Sequence, residues 1–271
     1  MRYDVGTGRS RHTNRSVIVK SHSSGIPILT YHSLDSSGSV VSTPPATFER
    51  QMEALWRRGY RTLSFSEAVR IANENGPMPE NTFVITFDDG YQNVFSNALQ
   101  VLTRFGFKAT VFLITEYCGR QNDWPSQPSS IQRRPLLSWS EIREMLGAGF
   151  EVGVHTATHP DLTSISLEQA ELEIMRSKRA IEDRLGVTSN LFCYPYGKFN
   201  GRVLDLVRSQ FEAACSTKLG KLTPGCDPHL IKRIDMYYLS NSRIFDALPT
   251  RVMDWYLGMR HAARVLREGL V

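Results

Sequence analysis

The sequence predicts an α/β protein built on a parallel sheet or closed barrel of about seven strands. Three observations carry this. Short runs dominated by apolar residues alternate with stretches whose apolar residues recur at helical spacing, and Gly, Pro or Ser/Thr signals punctuate the transitions. Runs with few polar interruptions suit strands buried on both faces, as parallel strands are. Several of these runs end directly on a His or an Asp, where a parallel barrel gathers its functional side chains.

The first run is Ile28-Leu29-Thr30-Tyr31, preceded by Gly25 and Pro27 and followed by His32. Phe48, Met52, Leu55 and Trp56 then mark an amphipathic helix that stops at Gly59. Ser64 and Glu67 form a capping-box pattern for a shorter helix through Ala72. Thr82 to Phe87 is the next strand and runs into Asp88-Asp89-Gly90. Val94, Ala98, Val101, Leu102 and Phe105 define a helix ended by Gly106, and Ala109 to Ile114 follows as a strand. Ser138 and Glu141 open a helix through Leu146, after which Phe150 to Val154 leads into His155. Ser166 and Gln169 start a longer helix, stopped by Gly186, with Ala170, Ile174, Ile181 and Leu185 on one side. Leu191 to Tyr194, Ala213 to Ser216 and Leu230 to Ile234 complete the strands, and Pro195-Tyr196-Gly197 ends the first of these. Residues 1–25, rich in Arg, Ser, Gly and Thr, are expected to form a flexible lead, with 26–271 as a single domain.

Composition narrows the function without naming it. A chain of 271 residues with 41% hydrophobic content can bury a large core, and a formal charge of +5 falls well short of a nucleic-acid signature. Cys118, Cys193, Cys215 and Cys226 show no CxxC spacing, which argues for buried free thiols rather than a thiolate zinc site or a disulfide scaffold. No apolar stretch is long enough to span a bilayer and the N-terminus has no apolar h-region, so a cytoplasmic location is expected. Between Arg251 and Val271, Arg260, Arg264 and Arg267 fall among Trp255, Met259, Ala262, Val265 and Leu266. This is the pattern either of a basic amphipathic helix in peripheral membrane contact or of a final helix packed on the core.

His32, Asp88, Asp89, His155 and Tyr196 all fall at or just after predicted strand ends. Adjacent carboxylates can divide labour, Asp89 holding a divalent cation while Asp88 takes a proton from water. His155 and His159, four positions apart, can turn both imidazoles to one point in a helical turn or tight loop. Asp plus two His leaves coordination positions open, as a catalytic metal requires. Taken singly, an Asp-Asp-Gly or a Pro-Tyr-Gly is an ordinary turn; their shared placement at strand ends is what makes a site.

Thr86-Phe87-Asp88-Asp89-Gly90, His155-Thr156-Ala157-Thr158-His159 and Pro195-Tyr196-Gly197 together resemble the three motifs of the polysaccharide deacetylase (NodB-homology) family of carbohydrate esterases. The resemblance runs from about Ile28 to Ile234 and implies a distorted (β/α)7 barrel. It also implies hydrolysis of the N-acetyl group of an N-acetylated sugar, and a divalent metal, zinc above others. The implied roles are Asp88 as base, Asp89, His155 and His159 as metal ligands, and the Tyr196 N–H as an oxyanion donor. The family Arg two residues before the Pro is replaced here by Cys193, and no C-terminal Leu-x-x-His follows the third motif. Leu29-Thr30-Tyr31-His32 resembles instead the Tyr-His segment of the circularly permuted branch that includes poly-N-acetylglucosamine deacetylases. That assigns His32 as acid and leaves His229 as a bystander. Arg233 and Asp235, at a late strand end, are candidates for orienting Asp88 or for contacting substrate. The competing readings are an O-acetyl esterase or non-sugar amide hydrolase on the same scaffold, and an inactive sugar-binding homologue.

Overall fold

The computed structural model describes residues 25–74, 76–239, 242–248, 253 and 255–260. Eight strands run in the order β1(Ile28–Tyr31), β2(Arg61–Thr62), β3(Thr82–Phe87), β4(Thr110–Leu113), β5(Glu151–Val154), β6(Leu191–Cys193), β7(Ala213–Leu219) and β8(Ile231–Asp235). All pair in parallel, in the spatial order β1-β8-β7-β6-β5-β4-β3-β2. A further pairing, Ile28 with Val84 through Tyr31 with Phe87, joins β1 to β3 and closes seven strands into a barrel. The short β2 stands outside that ring, paired with Thr82 and Phe83 below the point where β4 takes over at Thr86. Seven predicted strands are therefore present close to their expected bounds, whereas two residues of β2 carry too little pattern to be legible.

Alternation along each strand explains the closed barrel. Ile28, Val84, Leu191 and Cys193 belong to one buried cluster, while their neighbours Leu29, Phe83, Ile85 and Phe192 belong to the other. One face of each strand thus fills the lumen and the next packs against the surrounding helices, so the runs are apolar on both sides. The lumen cluster continues through Phe65, Ala68, Val69 and Ala72 of α2(Phe65–Asn73). Phe65 meets Phe112 edge to face at 5.8 Å, so α2 plugs the barrel from one end.

The outer helices are α1(Pro45–Arg57), α3(Gln92–Phe105), α4(Trp139–Gly147), α5(Leu167–Leu185) and α6(Gly201–Gln210). Their stop signals act as expected, with Gly106 and Gly186 left-handed at φ 68° and 70°. Ser138 with Glu141 and Ser166 with Gln169 form complete capping boxes. The box at Ser64 is half formed: Ser64 accepts from the Glu67 N–H, but Glu151 of β5 takes the Phe65 and Ser66 amides at 2.9 and 3.3 Å. Glu151 is held in that place because it also accepts from the Thr110 and Ser66 hydroxyls.

The predicted flexible lead lies outside the described residues apart from Gly25. Of the C-terminal segment, Met253 and Leu257 are buried in the main core while Trp255 and Met259 are exposed, and the residues beyond 260 lie outside the description. No helix among the described residues is long and apolar enough to cross a membrane. Removing the cross-barrel cap tests its importance: Glu151→Ala should cost about 1–3 kcal/mol in urea unfolding, by leaving α2's first amides without their acceptor.

Candidate active site

The C-terminal strand ends bring together His32, Asp88, Asp89, His155, His159 and Tyr196. Asp89 follows β3, His155 follows β5, and His159 lies four residues on in a tight loop rather than a helical turn. The loop is pinned by α5, whose Glu173 carboxylate accepts from the Thr158 N–H and hydroxyl at 2.8 and 2.9 Å. Asp89, Thr156, His159 and Tyr196 all have positive φ, between 58° and 69°. Asn81 is the other non-glycine residue of this kind among those described. Such conformations are costly away from glycine and persist only where surrounding structure enforces them, so their concentration here marks a built site.

His155 Nε2, His159 Nε2 and Asp89 Oδ1 form a triangle with edges of 3.2, 3.4 and 3.6 Å. Donors about 2.1 Å from a shared ion stand about 3.0 Å apart at a right angle and about 3.4 Å at a tetrahedral one. The residues therefore fit a divalent cation, and all three are buried, which suits a shared ligand and not three separate polar groups. The His155 Nδ1–H donates to the Cys193 carbonyl at 2.7 Å, which turns Nε2 toward the triangle. Burial first, and the neighbouring His155 next, push His159 down to about 3, so it stays neutral and able to donate a lone pair. Burial alone would raise Asp89, but His155 and His159 outweigh it and hold the carboxyl below its ordinary value.

Asp88 stands beside this triangle in a different environment. The Arg233 guanidinium grips it as a fork, Nη1 to Oδ1 and Nη2 to Oδ2, both at 2.7 Å. Arg233 is itself fixed by the Ser216 carbonyl at 3.2 Å and the Thr86 hydroxyl at 3.1 Å, and its guanidinium sits 5.8 Å from the centre of the Phe112 ring. Burial works to raise Asp88, yet Arg233 overrides it and keeps the carboxylate ionised far into acid. Cys193 occupies the motif position where an Arg was expected, and its small thiol lies 3.3 Å from Arg233 Nη2. β8 therefore supplies the guanidinium that β6 lacks. Asp235, the other candidate, takes the Tyr237 N–H at 3.0 Å instead. Asp88, His155 and Cys193 also cluster as possible ligands, but with both Asp88 oxygens on a guanidinium a second cation there is disfavoured.

His32 Nε2 lies 3.9 Å from Asp88 Oδ2, and its side chain is 22% exposed against 3% and 6% for His155 and His159. It is the site imidazole that an entering molecule can reach. His229 bonds the Phe211 carbonyl and Asp227, outside this cluster, as expected of a bystander. Tyr196 closes the far side, its left-handed backbone made possible by Gly197, where an added Cβ would fall 2.2 Å from Thr217 Oγ1. The turn's two hydrogen bonds, from Gly197 and Lys198, leave the Tyr196 N–H unused by the turn. Sequence reasoning missed Ser126, Trp124 and Glu173, because Ser, Trp and Glu in loops and helices carry no motif of their own.

Fold and site define an α/β barrel that carries a three-donor candidate metal site and an ion-paired carboxylate at its strand ends. The family model for polysaccharide deacetylase matches residues 75–210, half of the chain. The chain belongs to that family. YxkH of Bacillus subtilis, named for the same family, is 31% identical over 179 residues, which are 66% of this chain and 59% of YxkH. The poly-β-1,6-N-acetyl-D-glucosamine N-deacetylase of Staphylococcus epidermidis is 25% identical over 218 residues, 77% of this chain and 70% of that one. A Streptococcus pyogenes deacetylase solved in complex with acetate superposes with a TM-score of 0.68 at 25% identity, covering 78% of this chain and 92% of that one.

The Arg233–Asp88 fork makes a direct prediction. Arg233→Met should lower unfolding stability by about 3–5 kcal/mol at neutral pH, since it strands a buried carboxylate. Asp88 has a depressed folded value in the parent and a raised one in the variant, so the gap should be full only above the variant's raised value. It should shrink as the pH falls through that raised value, where the variant's folded carboxyl takes its proton, and keep shrinking below about 4, where the unfolded chain protonates while the parent's folded carboxylate stays ionised. Urea titrations across pH measure this, and a gap independent of pH would count against the ion pair as its source.

Proposed function

We propose that the chain is a divalent-metal-dependent deacetylase that hydrolyses the N-acetyl group of an N-acetylated sugar in a glycan or glycan precursor. The observation that carries this reading is the Asp89, His155, His159 triangle standing directly beside an Arg-tethered carboxylate, with a reachable imidazole 3.9 Å from that carboxylate. One carboxylate and two imidazoles suit zinc among the available divalent ions. When bound there, such an ion supplies Lewis acidity for the acetyl carbonyl and for the attacking water. The name of the Staphylococcus epidermidis relative supports an N-acetylated polymer as the substrate class.

The remaining steps belong to the chain's own groups. Asp88, held in one orientation by both nitrogens of the Arg233 fork, takes a proton from the attacking water as its oxygen adds to the acetyl carbon. The Tyr196 N–H faces the charge that develops on the acetyl oxygen. His32 delivers a proton to the departing nitrogen as the C–N bond breaks, which is needed because an amide anion is a very poor leaving group. The products are acetate and a free amino sugar. Cys193 in the Arg position would favour an inactive homologue if no guanidinium reached Asp88, and the Arg233 fork argues against that reading.

The roles separate experimentally. Asp89→Ala and His155→Ala should lose bound metal and acetate release together, whereas Asp88→Asn should keep the metal and lose about 10²–10⁴-fold in turnover. His32→Ala should bind metal normally and fail on N-acetyl oligosaccharides, yet retain more activity on an activated acetyl ester, whose leaving group needs less help. Acetate release by Asp88→Asn at the parent rate would sink the assignment of the base.

A further inference from the structure

Three hydrogen bonds beside the site form a closed ring through one residue. The Ser126 hydroxyl donates to the His159 carbonyl oxygen at 2.8 Å. The Tyr196 hydroxyl donates to Ser126, reaching Oγ at 2.9 Å and the carbonyl at 3.2 Å. His159 Nδ1 lies 3.1 Å from the same Tyr196 oxygen. Counting protons settles each direction. A carbonyl oxygen only accepts, so Ser126 spends its single hydroxyl proton on His159. Whether Tyr196 meets Ser126 at the hydroxyl or the carbonyl, it spends its own proton there. The phenol oxygen then has only lone pairs left for His159, and Nδ1 must carry the hydrogen. Nε2 is left bare, and it is Nε2 that stands 3.2 Å from His155 Nε2 and 3.6 Å from Asp89 Oδ1.

We infer that Tyr196 and Ser126 are positioning residues that lock His159 in its Nδ1–H tautomer and aim Nε2 at the cation, so that the loop bearing Ser126 is part of the metal centre. This rests on the reading of Asp89, His155 and His159 as metal ligands. Packing supports the same arrangement. His159 is held between two aromatic partners, the Trp124 ring at 5.0 Å and the Tyr196 ring at 4.6 Å, with Trp124 buried. The His159 backbone N–H donates to the Thr156 hydroxyl at 3.0 Å, which fixes the main chain that carries the imidazole. The cycle starts and ends on His159, and each donor in it is polarised by the next, so breaking one link weakens the others. Tyr196 consequently has two separable parts, a backbone N–H for the acetyl oxygen and a side chain that serves the ligand.

The test is zinc affinity, measured on the full chain by competition with a chromophoric chelator. Tyr196→Phe keeps the ring and removes the hydroxyl, and should weaken zinc binding by about 10–100-fold, the usual cost of losing a metal ligand's outer partner. Ser126→Ala should weaken it in the same direction, and the double variant should be no weaker than the worse single one, because both break one ring. Histidine-selective ¹⁵N spectra of the zinc-free parent should show His159 as the Nδ1–H tautomer. That readout needs no variant to fold and no metal to bind. Zinc affinity of both single variants within about threefold of the parent, or an Nε2–H tautomer at His159, overturns the inference. Absence of zinc binding by the parent, with the Nδ1–H tautomer present, would instead defeat the metal reading on which it rests.

Discussion

The buried fork between Arg233 and Asp88 is the interaction on which the rest of the site depends. Two opposite charges, exposed by only 2% and 4%, sit at the top of an otherwise apolar lumen. Neither could stay there alone, since an isolated buried charge is far costlier than a paired and fully hydrogen-bonded one. Everything around the fork meets that requirement. Ser216, Thr86 and the Cys193 sulfur take the three guanidinium protons outside the fork, and Phe112 offers its ring. With Asp88 committed to Arg233, Asp89 is the carboxylate left to face the histidines. Adjacent acids thus acquire different jobs from their surroundings and not from their chemistry.

Much of this was legible in the sequence, for a physical reason. Strands buried on both faces leave apolar runs that no other element leaves, so Ile28–Tyr31 and Thr82–Phe87 were read to the residue. Placing those runs located His32, Asp88, Asp89 and His155 at one end of the barrel before any geometry was known. Arg233 and Asp235 were both visible as candidates for orienting Asp88, but not which of the two does so, because Ile-Lys-Arg-Ile-Asp does not reveal which charge faces the lumen. The carboxylate that takes α2's first amides was likewise illegible, since it depends on where Glu151 arrives from β5.

The second group of unread residues lies in the segment from 121 to 135, which looks from sequence like a polar insert. Its order comes from side chains bonding across the fold. Asn122 reaches the Tyr91 hydroxyl and the Gln132 carbonyl, Arg134 reaches Asp35, and Ser126 reaches His159. Local propensity describes none of these, because each partner is distant in the chain or a turn away. Positive φ at Asp89, Thr156, His159 and Tyr196 was hidden for a related reason. Those conformations are imposed by the packed loops and cannot be inferred from residue types that ordinarily avoid them.

The source of the guanidinium also bears on how the molecule comes into being. Asp88 and Arg233 are 145 positions apart, and Arg233 lies on the strand that joins β7 to β1 to complete the ring. Until that last strand docks, Asp88 has no counter-charge and a gap remains in the wall around it. A chain without β8 in place would therefore hold the first two motifs while the base proposed above lacked its guanidinium partner. On that proposal, the chemistry requires the long-range pairings that close the ring, so the onset of chemistry is tied to completion of the fold.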